Sequence, residues 1–381
     1  MKDRLPFVWW IFLLAPVLTF FKAPLGLSVG DYLVLFCFLY LFFFGGIEKT
    51  FYFFSMTMVI LFVPYLTYYF CFYSEGVLPV LRMILFAFFC LFFCGCRKQD
   101  YAFLKAYGLI ATIAGACLVF QWVLFNYFGY FFTYFDSKYG IEENALLLMD
   151  LSKDQYRTGG LFREPSYFAV FTAPALFYFA RTRQWLNWFW MSFCVFLSTS
   201  VLGLMFVVLS LIVQMVYLVR NKLVVILFLA IFVLLTYVAI VTNTLPERLV
   251  ETLNGGASFR ARVLDGSEAI FDLPKYAFYP NLEVWSLIEA KDGFWLNSFY
   301  YLIVMFGFGA GILWLLYFMC VPNILILVLF VLLMTTNSVS SPYFLTATVV
   351  LRALVRSTVP AKKMKLLKCN IEFYIVCREL F

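Results

Sequence analysis

Apolar residues run through this chain in blocks of about twenty, broken by short charged or turn-forming stretches, and this block length sets the reading. About 20 apolar residues cover the hydrocarbon core of a bilayer as one helix. The blocks predict twelve membrane-spanning helices, over about 7–21, 30–46, 51–72, 81–95, 106–128, 166–180, 184–198, 200–219, 223–243, 297–319, 322–337 and 342–356. The Ser-rich break at Ser198–Ser200 separates two runs that would otherwise read as one long helix. The expected architecture is an all-α, polytopic membrane domain occupying residues 1–381 as a single unit, with two large loops over 129–165 and 244–296 and a basic tail over 357–381. The opening "MKDRLPFVWWIFLLAPVLTFF" has the charged start of a signal peptide but no small-x-small cleavage site, so it is read as a retained first span.

Composition agrees with the blocks. Hydrophobic residues make up 65% and aromatics 22%, with 50 Phe, which leaves too little polar surface for a soluble domain. Charge then orients the chain. With the N-terminus inside, seventeen of the 28 Lys and Arg fall in cytoplasmic segments, and of the remainder only Lys22 and Arg82 lie in short outer loops. Short loops carry the positive-inside signal, so both termini are expected in the cytoplasm and both large loops outside. The tail "AKKMKLLK" suits anionic lipid on the inner face. Trp9, Trp10, Trp122, Trp185, Trp188 and Trp190, near span ends, are expected to anchor at the membrane interfaces.

The two loops hold fourteen of the 21 acidic residues, so the polar chemistry is expected there. The chain has no His, which excludes Ser-His and Cys-His nucleophile systems and imidazole acid–base chemistry. Its cysteines have no metal-ligand spacing, and it carries neither a P-loop nor a dinucleotide fingerprint, so metal and cofactor are both expected to be none.

At the end of the first loop stands "YRTGGLFREPSYFAVF". Pro165 suits the first turn of a helix, where its missing N–H has no intrahelical partner to lose. Gly159 and Gly160 permit a tight turn just before it. Arg157, Arg163 and Glu164 therefore fall at the outer mouth of the sixth span. Two roles stay open for the arginines: a planar, permanently charged fork for phosphate oxygens, or an anchor that snorkels to the interface.

"RTGGLFREPSYFAVF" resembles the R-x-x-G-x-x-x-E-P-S segment of Wzy-type O-antigen and exopolysaccharide polymerases, in the O-antigen ligase and polymerase superfamily. In the same order follow "FCVFLSTSVLGLMFVVLSLIV", similar to that family's helix, Ser-rich turn and helix, then "GGASFRARVLDGSEAIFDLP", similar to the arginine opening of its second outer loop, and "FWLNSFYYLIVMFGFGAGILWLLYF", similar to the Asn-containing end of that loop. Val201 stands where members often have a turn arginine, and Leu296 precedes Asn297 where many ligases have histidine, which favours polymerase over ligase. The resemblance implies a GT-C-like membrane glycosyltransferase of the bacterial inner membrane, with its active site facing the periplasm. It would join oligosaccharide repeat units carried on undecaprenyl pyrophosphate, beside a flippase and a chain-length regulator, with no nucleic-acid partner.

The implied catalytic set is Arg157, Arg163, Arg262 and Glu164, with Arg260, Asn297, Asp265, Glu268 and Gly160 toward substrate. Glu164 either orients or deprotonates the acceptor hydroxyl or pairs with an arginine, and Asn297 either contacts sugar or phosphate or caps the tenth span. The class-level rival is a flippase for the same lipid-linked oligosaccharide. It would need charge along the span interiors, where this chain has almost none.

Overall fold

The computed structural model describes residues 6–21, 23–24, 27–44, 62–68, 71, 77–93, 100–129, 159–162, 164–218, 297–319, 321, 323–336 and 339–357. Its regular elements are helices, with no strand among the described residues. They are α1 (Phe7–Leu14), a 3-10 turn (Val17–Phe20), α2 (Val29–Phe44), α3 (Val77–Phe93), α4 (Asp100–Phe128), α5 (Pro165–Arg181), α6 (Trp185–Leu197), α7 (Val201–Leu218), α8 (Ser298–Phe306), α9 (Phe308–Met319), α10 (Ile326–Thr335) and α11 (Pro342–Ser357). Residues 62–68 are helical as well. Among the described residues one helix, α4, is long and apolar enough to cross a membrane, and several shorter ones are strongly apolar. The expected ninth span, the tail and nearly all of both large loops lie outside the described residues.

α5 and α11 form the centre. From Phe168 to Ala180 every residue of α5 is buried, and α11 is buried from Pro342 to Leu351. A helix apolar on all sides must be covered on all sides. α5 packs against α4, α6, α7 and α11, while α11 packs against α2, α3, α4 and α5. α5 also carries Pro174 in its interior. Proline there removes one backbone donor and tilts the preceding turn, a cost of about 3 kcal/mol in a free helix. In the turn before the proline, the Tyr107 hydroxyl of α4 donates to the Phe171 carbonyl, an added hydrogen bond from a neighbouring helix.

Large apolar side chains also face outward. α6 shows Leu186, Phe189, Phe193 and Phe196, at intervals of three and four residues, 49–84% exposed. α2 and α4 expose Phe36, Phe43, Ile113 and Phe120. A helical core with an equally apolar exterior is the reverse of a soluble surface.

Four expectations change. The first span is not one helix: α1 ends at Leu14 and the chain continues as a 3-10 turn after Pro16, which has no N–H to extend the ladder. The tenth span is two helices, because Gly307 takes φ 49°, ψ −125° and ends α8. α4 starts six residues before the expected 106, at Asp100, whose carboxylate pairs with Arg356 of α11 at 2.7 Å. Trp9 and Trp188 are core residues rather than interfacial anchors: Trp9 packs edge-on to Phe12 and Phe103, and the Trp188 indole donates to Ser210 at 3.0 Å.

Candidate functional site

The turn before α5 is built by its glycines. Gly160 has φ 65°, a left-handed conformation that residues with a Cβ adopt at a cost, and a Cβ there would lie 2.9 Å from that of Leu118 in α4. Gly159 is pressed more closely still, since a Cβ on it would run into the Phe162 carbonyl oxygen and lie 2.8 Å from the backbone of Glu164. The chain thus folds back on itself, with Phe162 N–H donating to the Gly159 carbonyl at 3.1 Å, and delivers Glu164 to the N-cap of α5 with Pro165 following in the first turn.

The Glu164 carbonyl accepts the first helical bonds, from Tyr167 and Phe168, but its carboxylate makes no cap bond. It accepts instead from the Ser166 hydroxyl at 2.9 Å, its one hydrogen bond among the described residues. The side chain is half-buried. This is a carboxylate held in place with an oxygen left over, an arrangement able to accept a hydrogen bond from a hydroxyl at the end of the bundle.

That end is assembled from the starts of several helices. Tyr343, opening α11, stacks on Tyr167 with ring centroids 4.9 Å apart and 10° between planes, and its edge meets Phe162. Its hydroxyl is bonded to Thr19. Three residues earlier, the Ser340 carbonyl accepts from Arg82 of α3 at 3.4 Å, and Arg82 pairs with Asp31 of α2 at 2.5 Å. Asp31 Oδ2 also receives the Ser28 N–H and hydroxyl, each at 2.8 Å. At α8 the fully buried Asn297 accepts the Tyr300 N–H on its side-chain oxygen at 2.9 Å, so of its two open roles the cap is the one seen. Ser298 next to it ties α8 to the end of α10, through the Thr336 carbonyl at 2.7 Å, and to Val339 N–H at 3.1 Å.

Of the residues nominated from sequence, Gly160 and Glu164 share one turn and Asn297 caps a helix at the same end. Arg157, Arg163, Arg260, Arg262, Asp265 and Glu268 lie outside the described residues. Sequence reasoning missed the Asp31–Arg82 pair and Tyr343. A charge near the start of one apolar run and an opposite charge near the start of another was the available signal, but 51 residues separate them. Among the described residues no three His, Cys, Asp or Glu side chains converge as metal ligands. No family model, curated protein or solved structure matches the chain.

Proposed function

We propose that the chain is a twelve-span membrane glycosyltransferase with both termini in the cytoplasm, which polymerises oligosaccharide repeat units carried on undecaprenyl pyrophosphate at the periplasmic face of a bacterial inner membrane. The observation that carries the reading is the segment "RTGGLFREPS", in which Gly159 and Gly160 make a tight turn and Glu164 stands, with a single hydroxyl partner among the described residues, at the mouth of the deeply buried α5. The pairing of helix ends supports the alternating topology. Tyr343–Thr19, Arg82–Asp31 and Ser298–Thr336 join ends expected outside, and Arg356–Asp100 and Tyr217–Asn323 join ends expected inside.

In the proposed reaction an acceptor sugar hydroxyl attacks the anomeric carbon of the donor chain. The new glycosidic C–O bond forms as the bond to the pyrophosphate oxygen breaks, the hydroxyl proton passes to the Glu164 carboxylate, and undecaprenyl pyrophosphate leaves as the anion. Arg157, Arg163 and Arg262 stabilise the charge that grows on the leaving group, and stabilisation that increases toward the transition state raises the rate.

The surface-glycan ladder of a deletion strain, complemented with wild type or with Arg157→Ala, Arg163→Ala, Arg262→Ala or Glu164→Gln at equal membrane levels, tests this. Glycan with one repeat unit in the deletion, and no ladder from the variants, is the expected result. Loss of even the single-unit form, with precursor trapped inside, would make the chain a flippase. Full-length polymer stranded on the carrier lipid would make it a ligase.

A further inference from the structure

The opposite end of α5 holds a polar pocket that the proposed reaction does not use. Arg181, in the last turn of α5, lies over the ring of Tyr217 in α7, its guanidinium carbon 4.3 Å from the ring centroid. The Tyr217 hydroxyl is bonded to Asn323 before α10, which fixes the ring, and the ring in turn holds the plane of the guanidinium. Arg181 makes no hydrogen bond or ion pair among the described residues, and its Nη1 is buried without a partner. The nearby carbonyls at the end of α5 are taken by other donors: Thr182 N–H on Tyr178, Arg183 N–H on Ala180 and Gln184 N–H on Phe179.

Beside it Gln214 of α7 is 7% exposed, and its amide also has no hydrogen-bond partner among the described residues. Both side chains line a small, partly open pocket of about 10 Å³ together with Phe177, Ser210, Val213, Leu325 and Leu354, with no acidic residue in its wall. Such a volume takes one water-sized group. Snorkelling alone does not account for this geometry, because it would place the guanidinium N–H groups in water, whereas Nη1 is out of it. A buried donor left unpaired is destabilising, and more so when it is charged.

We propose that this pocket binds a phosphate group, one oxygen entering between Arg181 Nη1 and the Gln214 amide while the rest of the group stays outside. The chemistry is that of an arginine fork and an amide donor converging on an anionic oxygen, with apolar walls that strengthen the attraction. The phosphate comes either from a phospholipid headgroup or from a free phosphate-bearing molecule. On the topology proposed above the pocket faces the cytoplasm, but the inference does not depend on the polymerase reading.

The test uses the full chain in detergent micelles, titrated with dioctanoyl-phosphatidylglycerol, with dioctanoylglycerol as the same lipid lacking phosphate, and with inorganic phosphate. The thermal midpoint and lipid retention in native mass spectrometry are the readouts. Phosphatidylglycerol should raise the wild-type midpoint saturably and dioctanoylglycerol should not, while Arg181→Gln and Gln214→Leu each weaken the apparent affinity tenfold or more. Arg183→Gln, an exposed neighbour, should leave it unchanged. A shift with inorganic phosphate of the same size assigns the site to a free phosphate group, and a shift with the lipid alone assigns it to the headgroup. Equal stabilisation of wild type and Arg181→Gln, or no shift of wild type with either phosphate source, overturns the proposal. Should Arg181→Gln fail to fold, Gln214→Leu decides the same question.

Discussion

Gly160 carries two constraints at once, a left-handed backbone and a side-chain face pressed against Leu118. Gly160→Ala keeps the chemistry of the turn but violates both, and should destabilise the protein by at least about 1–2 kcal/mol from the conformation alone, read as a lowered thermal midpoint with a shorter glycan ladder. Tyr107→Phe is the milder case. It removes only the donor to the Phe171 carbonyl near Pro174 and should cost about 1 kcal/mol, checked by the same melt. The glycine and proline positions around α5 were legible in the sequence because each residue type has a backbone preference of its own. The tyrosine was not, since nothing local distinguishes a Tyr that serves a neighbouring helix from one that faces lipid.

Between elements, the Asp100–Arg356 pair fastens the start of α4 to the end of α11, with both side chains less than a tenth exposed. Breaking a buried ion pair by removing one partner typically costs about 3–5 kcal/mol, whereas replacing both by apolar residues of similar size often costs little. Arg356→Met should therefore lower the midpoint far more than Asp100→Leu with Arg356→Met, and a double-mutant cycle measures the difference. Helix ends were the least legible part of the sequence. Apolar blocks mark where a helix is buried but not where its hydrogen bonds stop, so the break at Gly307 and the early start at Asp100 escaped the block pattern. The glycine at 307 sits among "FGFGAG", where several glycines compete for the same reading. The pairing of Asp31 with Arg82 depends on which helices become neighbours, and that is a property of the packed bundle.

For the whole molecule, the proposed topology puts the ends marked by Ser340 and by Arg183 on opposite sides of the membrane. Single cysteines at these positions, in a background without the ten native ones, should react with an impermeant maleimide from opposite faces of oriented vesicles. Labelling of both from one face would remove the alternating arrangement and with it the periplasmic placement of Glu164. α5 and α11 come from runs expected to be helical, but so do the other spans, and the place of these two at the bundle centre was not legible in the sequence. The candidate site was readable only as a turn and a carboxylate, because the aromatic and charged residues around them, Asp31, Arg82 and Tyr343, come from three other stretches of chain.

The outward stripe of Leu186, Phe189, Phe193 and Phe196 has a consequence for how unfolding shows itself. A chain whose exterior is as greasy as its interior keeps its helices when its tertiary contacts fail, because an apolar surrounding still requires every backbone group to be bonded within its own helix. Far-ultraviolet circular dichroism should then change little through the transitions described above. The indoles of Trp9, between phenylalanines, and Trp188, bonded to a serine, lose their fixed surroundings when the bundle loosens, so their emission is the signal that will report it.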